Sequence, residues 1–180
     1  MVNLGGTYQK EVVKKMMDEF GFKNFLSVPR VEKVVLNCGL GEATGNSQIL
    51  EEIADHMARI TGQKPVVTVS KRSIAAFKVR KGQTIGLKVT LRGARMYNFL
   101  EKLFRLTLPR LRDFRGLPIK NFDQSGNYTL GLRESNIFPE LATIGQDKTR
   151  GFEITIVTNS QDLAKSKRLL ELLGAAFQKT

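Results

Sequence analysis

A chain of 180 residues with 41% hydrophobic side chains carries enough apolar material for one packed core and suits a single domain over residues 1–180. Its 29 Lys and Arg outnumber 17 Asp and Glu, for a net charge of +12, and its lone cysteine, Cys38, excludes an internal disulfide and a Cys-based zinc site. No apolar run approaches the ~18–20 residues of a spanning helix and the first residues lack a secretory pattern, so the expectation is a cytoplasmic protein without a membrane partner.

Helical spacing appears first at Val12, Val13, Met16, Met17 and Phe20, and Gly21 ends that helix. Residues 31–40 then alternate, with Val34, Leu36, Cys38 and Leu40 on one face of a strand and Lys33 and Asn37 on the other. A second helix is expected through Ile49, Leu50, Ile53, Met57 and Ile60, capped by Asn46 or Ser47 and stopped by Gly62. A short strand follows from Val66 to Ser70. Residues 84–92 set Ile85, Leu87, Val89 and Leu91 against Thr84, Gly86, Lys88, Thr90 and Arg92. The third helix spans about Ala94 to Thr107, through Met96, Leu100, Leu103 and Phe104, and ends before Pro109. After a turn at Ser125-Gly126, residues 127–133 bring Tyr128, Leu130 and Leu132 together. Residues 152–158 put Phe152, Ile154 and Ile156 against Glu153, Thr155 and Val157. The last helix takes Ser160 as its cap and Asp162 in its first turn, and carries Leu163, Leu170 and Leu173.

Clean alternation means strands with one covered and one open face, since a parallel sheet buried on both sides shows continuous apolar runs. The fold class is therefore α+β: a largely antiparallel five-stranded sheet, helices on one face, the other face displaying Lys, Thr, Asn and Arg. No repeat, low-complexity tract or linker divides the chain.

The charge is confined. Residues 71–120 hold fourteen basic and two acidic side chains, while the stretches on either side are balanced. A localised positive field is what a polyanionic partner selects. Its densest part, Lys71 to Gly82, contains Lys71, Arg72, Lys78, Arg80 and Lys81 without one acid. Twelve residues between two strands is long for a hairpin loop, and loops of that size usually carry function. Its cations suit phosphates, Ser73 can donate to a phosphate oxygen, and Phe77 either stacks on a base or anchors the loop to its own protein. Each phosphate neutralised should add roughly 0.7 to 0.9 to the salt slope of binding. A second cluster, Pro109 to Lys120, places Arg110, Arg112 and Arg115 on irregular backbone, for RNA or an acidic protein, with Asp113 available for a local ion pair.

Catalysis has little to work with. Gly39-Leu40-Gly41-Glu42-Ala43-Thr44-Gly45 sits between a strand and a helix, but its third glycine comes one residue late for a dinucleotide turn, and the sheet is antiparallel. His56 has no second histidine, Cys38 lies on an apolar face, and the carboxylates are scattered, so neither an enzyme, a metal nor a cofactor is expected. An RNA chaperone shares the charge and the open sheet; a nucleic-acid enzyme lacks its site.

Several strings resemble the ribosomal protein L-five family, bacterial type. They are Ile60 to Pro65 with Ser70 to Gly82; Val28 to Lys33; Asn37 to Ala43; Lys88 to Gly93; Pro109 to Leu117; and Phe122-Asp123 through Arg133-Glu134. The resemblance runs almost end to end. It implies an α+β structural protein of the central protuberance of the large subunit, with partners in 5S rRNA, large-subunit rRNA and other 5S-associated ribosomal proteins. It implies that Arg30, Lys33, Asn37, Gln63, Lys88, Thr90 and Arg92 bind 5S rRNA. It further implies that the loop with Lys71, Arg72, Ser73, Phe77, Lys78, Arg80 and Lys81 reaches P-site tRNA. Arg110, Arg112, Arg115 and the segment Glu134 to Arg150 would meet a small-subunit head protein at an intersubunit bridge. Alternation alone already turns Lys33, Asn37, Lys88 and Thr90 outward.

Overall fold

The computed structural model describes residues 4–41, 47–77, 79–112, 114–142 and 150–178. Five strands, β1 (Val31–Gly39), β2 (Val66–Val69), β3 (Thr84–Leu91), β4 (Tyr128–Leu132) and β5 (Phe152–Thr158), form one open antiparallel sheet in the order β2-β3-β1-β5-β4. This is the expected α+β class. By compactness the chain divides into unit 1 (Met1–Val34, Arg92–Leu130, Thr155–Thr180) and unit 2 (Val35–Leu91, Gly131–Ile154).

Unit 2 is built around the period-two strands. Leu36, Cys38 and Leu40 are buried, as are Leu87, Val89 and Leu91. The helix α3 (Ser47–Thr61) packs against β3 and buries Ile53, Met57 and Ile60, which lie at helical spacing. Its first helical residue is Ser47; the alternative cap, Asn46, falls outside the described residues. Gly62 stops it as expected, at φ +66° with its N–H on the Ala58 carbonyl at 2.8 Å.

Alternation misplaced two residues of β3. The antiparallel pairing of β2 with β3 slips between Thr68 and Val69, from Thr68 opposite Gly86 to Val69 opposite Thr84. Ile85 sits at the slip. It is turned out to 37% exposure, and Gly86 is buried in its stead. A Cβ on Gly86 would stand 2.7 Å from the Cys38 carbonyl oxygen and 3.0 Å from Thr68 Oγ1, so no larger residue fits. Along β2 itself Val66, Val67 and Val69 are all exposed.

In unit 1 the first helix begins earlier than its apolar spacing shows. Helix α1 (Leu4–Thr7) runs through a π-helical turn (Tyr8–Val12) into α2 (Val13–Phe20), and Gly21 closes it at φ +69°. Helix α4 (Gly93–Lys102) continues as a π-helical segment (Leu103–Thr107) and a 3₁₀ turn (Leu108–Arg110). The α- and π-helical run thus ends at Thr107, before Pro109 as expected, and Pro109 enters the first turn of the 3₁₀ segment, where no amide proton is required. Helix α5 (Leu163–Leu172) is capped by Asp162, whose carboxylate accepts from the Ala164 amide at 2.9 Å. Ser160, the expected cap, instead accepts from the Asp162 amide at 3.2 Å, in the turn ahead of the helix. Leu163, expected in the core, is 44% exposed, while Leu170 and Leu173 are buried.

Arg168 of α5 grips Glu19 of α2 through two bonds of 2.6 Å. Both side chains are more than a third exposed, so solvent screening leaves this pair a small stabiliser. Packing does more: Phe122, Tyr128 and Phe177 form an aromatic cluster with centroids 4.8–5.6 Å apart, and the Tyr128 hydroxyl donates to the Pro118 carbonyl.

The Ser125-Gly126 turn is fixed from inside. Gly126 has φ +74°, and a Cβ there would lie 2.5 Å from Ser166 Oγ and 2.6 Å from the Ser160 carbonyl oxygen. Strain and overpacking act together in Gly126→Ala, which should destabilise the protein by about 2–4 kcal/mol. A lowered urea midpoint checks this; an unchanged midpoint would show that the turn relaxes freely.

Candidate nucleic-acid interface

Unit 2 holds four of the seven sheet-face candidates. Asn37 on β1 and Lys88 on β3 are exposed, and Thr90 is half-buried, while their neighbours Leu36, Cys38, Leu87, Val89 and Leu91 fill the opposite side. β1 and β3 are adjacent strands, so the polar residues come from one continuous patch of pleat. Gln63 belongs to neither strand, yet its Nε2 donates to the Thr90 carbonyl at 3.3 Å. A loop amide is thus tied to the strand it was expected to work beside. Its main chain is held as well: the Gln63 N–H donates to Thr61 Oγ1 at 3.3 Å, while the Thr61 hydroxyl donates to the Met57 carbonyl at 2.7 Å.

The remaining three lie in unit 1. Lys33 is half-buried on β1, and Arg92 is exposed at the N-cap position of α4 without a side-chain cap bond. Arg30 has an exposed side chain on a fastened backbone. Its N–H donates to Asn159 Oδ1 at 2.7 Å and its carbonyl accepts the Asn159 amide at 3.1 Å. The preceding carbonyl, of Pro29, accepts the Tyr8 hydroxyl at 3.0 Å, and the Tyr8 ring stacks on Tyr97. Burial pushes the Tyr8 hydroxyl up to about 12, the nearby Tyr97 adding to the shift and the Arg30 charge opposing it. It remains a proton donor throughout the neutral range.

The basic loop of unit 2 is a structured extension, not a slack connection. Ser70 and Gln83 close its base through Ser70 N–H to the Gln83 carbonyl and Gly82 N–H to the Ser70 carbonyl, both at 2.9 Å. Higher up, Ile74 and Val79 exchange backbone bonds of 2.8 and 3.2 Å, and residues Ala75–Phe77 make a 3₁₀ turn at the tip. Lys71, Arg72, Arg80 and Lys81 are exposed along it; Lys78 lies outside the described residues. Ser73 Oγ accepts the Lys81 amide at 2.9 Å, which leaves its hydroxyl proton to be donated outward. Phe77 is 75% exposed, so it does not anchor the loop to the rest of the chain. Of the two expected roles, anchoring the loop finds no contact surface at Phe77.

Arg110, Arg112 and Arg115 are exposed in unit 1 on the irregular segment after α4. Asp113 is outside the described residues, as are residues 143–149 of the segment expected to join this cluster. The turn from Gly39 is described only to Gly41.

Among the described residues no group of His, Cys, Asp and Glu is placed to hold a metal ion, and no helix is long and apolar enough to cross a membrane. Cys38 is buried, and burial pushes its thiol up to about 11.

Comparison with known proteins identifies the family. The family model described as Ribosomal protein L5 matches residues 24–80, and a second model, for the C-terminus of the same ribosomal family, matches residues 84–177. The chain belongs to the ribosomal protein L5 family. Members of this family are ribosomal proteins and not enzymes. Among its relatives is a Large ribosomal subunit protein uL5 from a Thermoanaerobacter species, 54% identical over 179 residues, covering 99% of this chain and 100% of the relative. Proteins of the same name from Kosmotoga olearia and Desulfatibacillum aliphaticivorans are each 53% identical, over 99% of this chain and 97% and 100% of theirs.

The Cys38 environment sets a pH-linked expectation. A thiol raised in the folded state favours folding below its ordinary range, and that contribution fades as pH rises towards 11. Iodoacetamide at pH 8 should leave Cys38 unlabelled in the native chain and label it fully in denaturant. Rapid native labelling would mean that β1 opens readily.

Proposed function

We propose that this chain is a structural constituent of the large ribosomal subunit, in the cytoplasm, that binds 5S rRNA through its open sheet face and helps attach it in the central protuberance. The observation that carries the reading is the split of β1 and β3. Asn37, Lys88 and Thr90 stand on the open side with Gln63 tied to Thr90, while Leu36, Cys38, Leu87, Val89 and Leu91 beside them are buried.

The chemistry follows from the side chains. RNA loops expose base edges and 2′-hydroxyls, which Asn, Gln and Thr read by donating and accepting, while phosphates are held by cations. Arg30, Lys33, Lys88 and Arg92 supply that charge. Side chains set on paired strands lose little freedom on binding, so their hydrogen bonds are not offset by ordering. No bond is made or broken.

Family likeness and the exposed, preformed loop support a second contact. Lys71, Arg72, Ser73, Phe77, Arg80 and Lys81, with Lys78, reach P-site tRNA, Phe77 offering a stacking surface between cations. Arg110, Arg112 and Arg115 face a small-subunit head protein at an intersubunit bridge, together with the segment from Glu134 to Arg150. Other large-subunit rRNA and 5S-associated proteins complete the surroundings.

Asn37→Ala and Thr90→Ala should each weaken 5S rRNA binding about five- to tenfold, the loss of one hydrogen bond, with an unchanged thermal transition. Filter-binding titrations check this, and undiminished affinity in both variants would place the RNA elsewhere. Deleting residues 73–80 should leave 5S rRNA affinity intact while lowering the activity of reconstituted ribosomes. Loss of 5S binding on that deletion would overturn the division of labour between loop and sheet.

A further inference from the structure

Unit 1 carries an open cleft of about 640 Å³ that the surfaces described above do not account for. Its walls include Glu32, Gln124, Ser125, Asn127, Asn159 and Gln161. A smaller recess of about 260 Å³ shares Asn159, Ser160 and Gln161 with it and extends to Phe22, Pro29 and Lys165. The volume of the larger cleft falls within the roughly 300–1,000 Å³ typical of small-ligand sites.

The walls are set before anything enters. The Asp123 carboxylate accepts from the Ser125 amide at 2.9 Å, the Asn127 amide at 2.7 Å and Asn127 Nδ2 at 2.8 Å. Asn127 Oδ1 in turn accepts the Thr158 amide at 3.1 Å, and behind it the Thr158 and Ser166 hydroxyls meet at 3.1 Å. Asn159 Oδ1 is engaged by the Arg30 amide, so the group it can offer a ligand is its NH₂.

The composition selects the ligand. In a chain of net charge +12, the larger cleft is lined by a carboxylate, by amides and hydroxyls and by Val157, with no Lys or Arg among the described residues of its lining. A phosphate would meet Glu32 and be repelled. A nucleobase edge is a row of donors and acceptors, which amides match, and an acceptor-only carboxylate matches two parallel N–H groups. Guanine offers that pair on N1 and N2. The adjoining recess supplies what the rest of a nucleotide needs: the Phe22 ring, with Lys165 Nζ 5.8 Å from its centroid, and the ring of Pro29.

We propose that this trough is a second RNA-reading site, which takes one unstacked guanine of ribosomal RNA with its base edge on Glu32 and the amides and its backbone towards Lys165. The inference rests on the reading of the chain as an rRNA-binding protein, but not on the sheet face of unit 2.

The test is titration of the ¹⁵N-labelled full chain with GMP, AMP, CMP and UMP, followed by NMR. GMP should move the amide signals of Gln124, Ser125, Asn127 and Gln161 further than any other nucleotide. Glu32→Gln should weaken that response about tenfold or more, the loss expected for a charge-assisted hydrogen bond, without altering the remaining spectrum. Asn37→Ala should leave it untouched. No movement, equal movement with all four nucleotides, full affinity in Glu32→Gln, or loss of the response in Asn37→Ala would each overturn the proposal. Because 5S rRNA affinity of Asn37→Ala is measured separately, failure here and failure of the sheet-face reading remain distinguishable.

Discussion

Burying Leu36 and Cys38 turns Asn37 outward; no torsion of an extended backbone separates the two events. That coupling is the constraint on which this structure depends. The hydrophobic effect fixes one side of β1 and β3, and the side chains left over acquire a defined spacing on the other side without any further ordering. The polar face is a by-product of core formation. A one-residue slip of either strand would exchange the two faces and destroy core and surface together.

The net charge serves a different purpose and resides in other places. In unit 2 it is carried by an extension whose backbone is bonded at both base and middle, so that its cations are held out from the sheet on a short stalk. In unit 1 it follows α4 onto irregular backbone at Arg110, Arg112 and Arg115. In general, localised charge gives affinity and steering at long range, whereas uncharged hydrogen-bonding groups discriminate at contact. The cleft bounded by Glu32 inverts that pattern: a lone carboxylate in a cationic protein is unfavourable for phosphate and favourable for base edges.

Much of this was legible in the residues. Five strands, the outward placement of Asn37, Lys88 and Thr90, the glycine stops at Gly21 and Gly62, and the density of cations in 71–82 all follow from local pattern. What was not legible depends on partners distant in the chain. Ile85 is exposed and Gly86 buried where β2 slips against β3, and pairing register is not written in the alternation of a single strand. Ser160 and Asp162 are both good caps, and only the backbone bond to Ala164 decides between them. The cleft was invisible for the same reason: Asn159 meets Arg30 across 129 positions, and no motif spacing covers that distance.

The edge of the sheet has a consequence for the chain before it meets RNA. β2 ends the strand order, and Val66, Val67 and Val69 lie open along it, the chemistry of a segment prone to self-association. Several features blunt it. The strand is four residues long, Pro65 precedes it, its ladder breaks at Thr68, and Lys64, Lys71 and Arg72 flank it. Two such edges approaching each other would bring like charges together along a stretch too short and too crooked to zip. The strand's length, its register break and its flanking charges thus act together against edge-to-edge pairing.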